Sequence, residues 1–77
     1  MNPQQIPDSL LAEIVSGERS YEFESLAVKM LLSRFRIELI LNPGPETLKA
    51  GVAKLRELLS KSKNMPSVHN DLKKLVS

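Results

Sequence analysis

The sequence predicts an all-α protein, a small four-helix bundle-like domain with a long central second helix. Apolar residues recur every three or four positions in four separate segments, which is the spacing of one helix face. Proline and glycine punctuate the chain between these segments, most clearly in the Asn-Pro-Gly-Pro run at residues 42–45. The 77 residues are enough for one domain, which we expect to span residues 1–77.

The first two segments predict a short helix over residues 7–16 and a long helix over residues 20–41. The short helix has its apolar side chains on one face: Leu10, Leu11, Ile14 and Val15. Gly17 is suited to ending it, and Ser20 can cap the helix that follows. The long helix is apolar on both sides of one narrow polar stripe, so it needs to be covered from more than one direction.

Residues 34–39 leave two interpretations open. They alternate strictly between charged and apolar side chains, Arg-Phe-Arg-Ile-Glu-Leu, which is the periodicity of a strand. However, no turn signal separates them from residues 27–32, which are rich in helix formers. We therefore prefer an unbroken helix and keep a strand as the alternative.

The last two segments predict helices over residues 45–63 and 66–76. The first of them is clearly amphipathic, with its apolar face formed by Leu48, Val52, Leu55, Leu58 and Leu59. Gly51 lies beside that face, where it either permits close approach of another helix or is tolerated at a cost of about 1 kcal/mol. The final helix has its apolar residues on one side: Val68, Leu72, Leu75 and Val76.

Composition argues against an enzyme. The chain has no cysteine and one histidine, His69, and its three glycines form no phosphate-binding loop. We therefore expect no catalytic activity, no cofactor, no metal and no small-molecule substrate. The sequence shows no signal peptide and no long apolar run, so we expect a cytoplasmic protein without a membrane partner.

The preferred functional interpretation is a small helical protein–protein interaction or adaptor module that forms a homodimer. The long second helix has more apolar surface than three other helices, two of them short, can cover, and such patches mark binding sites. Arg34 and Glu38, four residues apart within its apolar sector, can pair or border a helix–helix contact. The predicted interface residues are Phe23, Met30, Arg34, Phe35, Ile37, Glu38 and Leu41.

The alternative interpretation is a nucleic-acid-binding regulator. Residues 1–42 carry four basic and six acidic side chains, a net charge of −2, whereas residues 43–77 carry seven and three, a net charge of +4. A basic helix over residues 45–63 could lie against phosphates or an acidic protein. Its candidate contact residues are Lys49, Lys54, Arg56, Lys61 and Lys63.

The alternative has a second form if residues 34–39 are a strand. A strand followed by helices over residues 45–63 and 66–76 resembles the ribbon-helix-helix repressors, which are dimers whose paired strands enter the major groove of DNA. The resemblance covers residues 34–77 and lies in the order of elements. It implies that Arg34, Arg36 and Glu38 face the bases, while the apolar residues between them face the core.

Overall fold

The computed structural model describes residues 2–76, and within that range it contains four α-helices and no strand. The helices are α1 (Asp8–Ser16), α2 (Leu26–Leu41), α3 (Pro45–Leu59) and α4 (Pro66–Val76). Short 3₁₀ turns at Pro3–Gln5 and Ser62–Asn64 precede α1 and α4. The all-α, bundle-like fold is therefore confirmed. The longest helix is α2, and α3 contacts α1, α2, α4 and the first 3₁₀ turn.

The prediction that α2 begins at residue 20 is wrong, because its N-terminus is held by a distant carboxylate. Asp71 of α4 is fully buried and accepts hydrogen bonds from the backbone N–H groups of Glu24, at 2.7 Å, and Ser25, at 2.9 Å. Ser25 has extended backbone angles, and its hydroxyl oxygen accepts a hydrogen bond from Val28 N–H at 3.3 Å. Ser25 is therefore the N-cap in place of Ser20.

The strand alternative for residues 34–39 is also wrong, because this stretch is helical in the middle of α2. Its charged–apolar alternation does not separate two faces: Ile37 is exposed beside Arg36, whereas Phe35 and Leu39 pack against the core. The order of elements in ribbon-helix-helix repressors is therefore not formed. The helix continues to Leu41, and Asn42 N–H donates to Glu38 O at 2.7 Å.

The core forms where one face of each helix meets the others. Its fully buried members include Leu11 and Val15 from α1, Leu55 from α3 and Leu72 from α4. Gly51 of α3 lies where α1, α2 and α3 converge. A Cβ atom at Gly51 would stand 2.6 Å from Cγ1 of Val15 and 3.2 Å from Cδ1 of Phe35. The close-approach interpretation of this glycine is therefore confirmed.

The helix predicted over residues 45–63 ends at Leu59 instead. Lys61 leaves helical geometry, with φ −87° and ψ 8°, and the 3₁₀ turn Ser62–Asn64 follows. Ser62 is buried there, so this turn packs into the domain and leads directly into α4 at Pro66. The first helix ends as predicted at Gly17, whose φ of 88° is the left-handed geometry that glycine adopts readily.

Candidate functional site

One side of α2 exposes large apolar side chains that no other part of the domain covers. Five of them, each between 58% and 78% exposed, are Leu26, Met30, Ile37, Ile40 and Leu41. We call this surface the α2 face. It lies opposite the side of α2 that joins the core through Val28 and Leu32. The surplus apolar surface expected from the sequence is therefore present, and it is concentrated on one side of the helix.

The residues of the α2 face follow the spacing by which one helix packs along another. The exposed positions 26, 30, 33, 37 and 40 are separated by four, three, four and three residues. That is the alternation of the two inward positions of a heptad repeat. We call these five positions, Leu-Met-Ser-Ile-Ile, the seam. At 1.5 Å rise per residue it runs for about 21 Å along the helix.

Only some of the predicted interface residues lie on this face. Met30, Ile37 and Leu41 do, and Arg34 is exposed at its edge. Phe23 does not, because it precedes α2. It is 8% exposed in the core, with its ring centroid 5.6 Å from that of Tyr21.

Phe35 and Glu38 are half-buried on the α3 side of the helix. Phe35 packs against Gly51, so it is not an exposed anchor. Sequence reasoning missed Leu26 and Ile40, although the regular four–three spacing indicates both positions.

At the positions of α2 that directly flank the seam, every charged residue is basic. Lys29 and Arg36, seven residues apart, lie along one flank, and Arg34 lies along the other; all three are exposed. The Arg36 guanidinium also reaches the turn after α1, where its Nε is 3.4 Å from the position of a Cβ on Gly17. A cation is stabilised there by the partial negative charge of a helix C-terminus.

A groove of about 820 Å³ between α2 and α3 adjoins the α2 face at Met30. Apolar side chains from α2 line it, namely Met30, Leu31 and Phe35, and its charged lining is of both signs, from Arg34, Glu38, Glu46 and Lys54. Among the described residues no ion pair joins Arg34 to Glu38, so the local pairing that their spacing allows is not formed. The two charges face the groove separately.

The five candidate nucleic-acid contact residues do not form one continuous patch. Positions 49 and 54 are about 140° apart around the α3 axis, and they line different grooves. Lys61 and Lys63 are exposed beyond the end of α3. Nζ of Lys54 lies 4.0 Å from Oε2 of Glu57, at the limit of an ion pair.

Arg56, the fifth of these residues, serves the fold. Its side chain is 16% exposed and donates to Pro3 O at 2.6 Å and Ile6 O at 3.0 Å. It also forms an ion pair with Asp8. These bonds hold the N-terminal segment against α3. Because the Arg56 guanidinium is used within the fold, it is not free to contact phosphates on a nucleic acid.

The described part of the chain holds no group of three or more histidine and carboxylate residues placed to bind a metal ion. His69 is half-buried on α4, and Asp71 is bonded to backbone. The hydrogen bond that the Arg19 guanidinium donates to the Tyr21 oxygen and the charge of Glu13 raise the pKa of Arg19, which is charged in any case.

From Asn2 to Val76, no helix combines the length and apolarity needed to cross a bilayer. Comparisons of the chain with family models, curated proteins and solved structures found no match. The α2 face, with its basic flanks, is therefore the feature that carries a functional proposal.

Proposed function

We propose that this domain is a protein-interaction module and that the α2 face is its docking surface. The observation that carries the proposal is that five large apolar side chains on one side of one helix are 58–78% exposed. Contiguous exposed apolar surface marks interaction sites in soluble proteins. Complete burial of such a side chain contributes about 1.5–3 kcal/mol, so covering five at two-thirds exposure would yield roughly 5–10 kcal/mol before association costs.

The core does not require these side chains, which supports a role outside the fold. Val28 and Leu32 anchor α2 from its opposite side, and Gly51 lets the helix approach α1 and α3 closely. Side chains on the α2 face are therefore open to change without loss of packing. A docking residue has this freedom and a core residue does not.

A second copy of the chain, the partner expected from the sequence, stays a prediction, as does the cytoplasmic location. Light scattering on the native chain over a range of concentrations measures the mass directly. A mass that doubles with concentration, and returns to that of one chain in a Met30→Glu variant, would identify self-association through the α2 face.

Site-specific photo-crosslinking in the cells that express the protein tests the proposal. A photoreactive residue at Ile40, which is 78% exposed, is expected to give a discrete protein adduct. The same residue at Lys49, exposed on α3, is the matched control and is expected to give none. A Met30→Glu change combined with the Ile40 probe should remove the adduct. Equal adducts at both positions, or none at Ile40, would contradict the proposal.

A further inference from the structure

We infer that the α2 face docks a helix with acidic flanks from another protein, in preference to a second copy of this chain. The inference rests on the proposed function and adds the chemistry of the partner. It is carried by two observations, the spacing of the seam and the sign of the charges beside it.

The spacing of the seam selects a helical partner. Its five positions alternate in steps of four and three, which keeps one side of α2 directed at a neighbouring helix along about 21 Å. An added strand would match a period of two and an exposed sheet edge, and residues 2–76 contain no strand. Ser33, at the middle of the seam, is small enough to allow close approach of the partner helix.

The charges beside the seam select acidic flanks. In a pair of helices, residues at positions 27, 29, 34, 36 and 41 would face the flanks of the partner, and here they are Ala, Lys, Arg, Arg and Leu. Every charged one of them is basic. Glutamate or aspartate on the partner would therefore form ion pairs along both sides of the seam, and lysine there would be repelled.

The same charges oppose pairing with a second copy. In a parallel arrangement, Lys29 would face Arg34 of the copy. In an antiparallel arrangement centred on Ser33, Lys29 would face Arg36 of the copy, and the two Arg34 side chains would meet. Like charges come together in both directions, so self-association gains the apolar contact but not the flanking ion pairs.

An anionic lipid surface would also attract these cations, but the surroundings of the seam fit a bilayer poorly. Glu38 and Glu46 line the groove on one side of the α2 face. Glu22 lies with Lys29 and Arg36 along the other side. The face also lacks the tryptophan and phenylalanine side chains typical of helices that lie in the interface. A flat anionic surface laid on the α2 face would come close to these three glutamates and be repelled by them, whereas a single helix on the seam need not approach them.

Two synthetic helical peptides with an identical leucine–isoleucine seam test the inference. One carries glutamate at its flanking positions and the other lysine, and binding to the full chain is followed by fluorescence anisotropy. We expect the acidic peptide to bind at least about tenfold more tightly. The preference should decrease as ionic strength rises from about 0.05 to 0.5 M, because salt screens exposed charges.

A charge exchange on the protein provides the decisive variant. Lys29→Glu combined with Arg34→Glu should reverse the preference, so that the lysine peptide binds more tightly. Both side chains are exposed, so the variant is expected to keep its helical circular dichroism. Lys61→Glu with Lys63→Glu changes the net charge by the same amount away from the face, and it should retain the original preference.

Several outcomes would overturn the inference. Equal binding of the two peptides would show that the flanking charges do not select the partner. Tighter binding to phosphatidylserine vesicles than to the acidic peptide would favour a membrane surface as the ligand of the α2 face. A stable dimer that Met30→Glu dissociates would identify a second copy, and would leave the proposed interaction function standing. If neither peptide binds while the Ile40 probe still crosslinks a protein, the acidic-helix inference alone fails. If the chain also stays monomeric and that probe captures nothing, both fail.

Discussion

Replacing Asp71 by alanine tests the link between α4 and the start of α2. The change removes the acceptor of two backbone N–H groups, those of Glu24 and Ser25. Ser25 N–H is buried, so leaving it without a partner costs about 1–3 kcal/mol. Glu24 N–H is partly buried and can be partly solvated, which adds roughly 0.5–1.5 kcal/mol. We therefore expect a loss of about 1.5–4.5 kcal/mol from a total stability of about 4–12 kcal/mol for a chain of this size.

Urea unfolding followed by circular dichroism measures this loss as a lower midpoint at an unchanged slope. Asp71→Asn should lose about 1–3 kcal/mol, because the amide keeps one oxygen acceptor and turns its NH₂ group toward the other donor. Asn70→Ala, an exposed neighbour on α4, is the control and should stay within about 0.5 kcal/mol of the native chain. In Asp71→Ala, amide hydrogen exchange at Ser25 should accelerate more than at core residues. If Asp71→Ala were as stable as Asn70→Ala, the carboxylate would not be holding the helix start.

Three further changes probe the rest of the fold. Gly51→Ala should lower thermal stability by up to about 2 kcal/mol, because crowding of Val15 at 2.6 Å outweighs the roughly 1 kcal/mol gain in helix propensity; a rise in Tm would contradict the close approach. Arg56→Ala should lower the free energy of unfolding in urea by about 1–3 kcal/mol and should make the chain cleavable by protease before residue 8. Lys54→Ala should have neither effect. Ile37→Glu should change stability by no more than about 0.5 kcal/mol, against about 2–5 for Leu55→Ala; a large loss at Ile37 would show that the α2 face belongs to the fold.

The fold class was predictable because it depends on local patterns. Helices α1, α3 and α4 each have one apolar face bounded by proline or glycine, so periodicity and punctuation place them within a few residues. Gly17 ends α1 as its left-handed geometry requires. These features act over one or two turns of chain, and a single sequence contains them in full.

The start of α2 was not predictable in the same way, because it depends on a contact between residues 46 positions apart. Ser20 and Ser25 are both suitable caps, and only the position of Asp71 decides between them. The role of Arg56 is likewise non-local, since its acceptors lie about fifty residues earlier in the chain. Burial of Phe23 depends on the same contact at Asp71, because the residues before Ser25 lie outside the helix.

The presence of surplus apolar surface on the second helix was predictable, but the side of the helix that exposes it was only partly so. A wheel over the second helix shows more apolar residues than a small domain can bury, which correctly indicates surplus surface. It does not show which apolar side faces inward, because both sides are rich in leucine and isoleucine. The side that faces inward is set by packing against α3: Phe35 fits against Gly51, which has no side chain. With Phe35 directed at α3, Ile37 and Ile40 point to the outside.

The carboxylate of Asp71 also determines how long the exposed helix is. Leu26, the first residue of the seam, follows immediately after the serine whose N–H that carboxylate binds. Lys74, one turn further along α4, donates to the backbone oxygen of Glu22 and secures the same strip of chain. Without α4, residues 22–25 would lose the hydrogen bonds that hold them outside the helix, and α2 would be free to lengthen toward its N-terminus and withdraw Phe23 from the core. A helix about forty residues further along the chain thus decides where the α2 face begins.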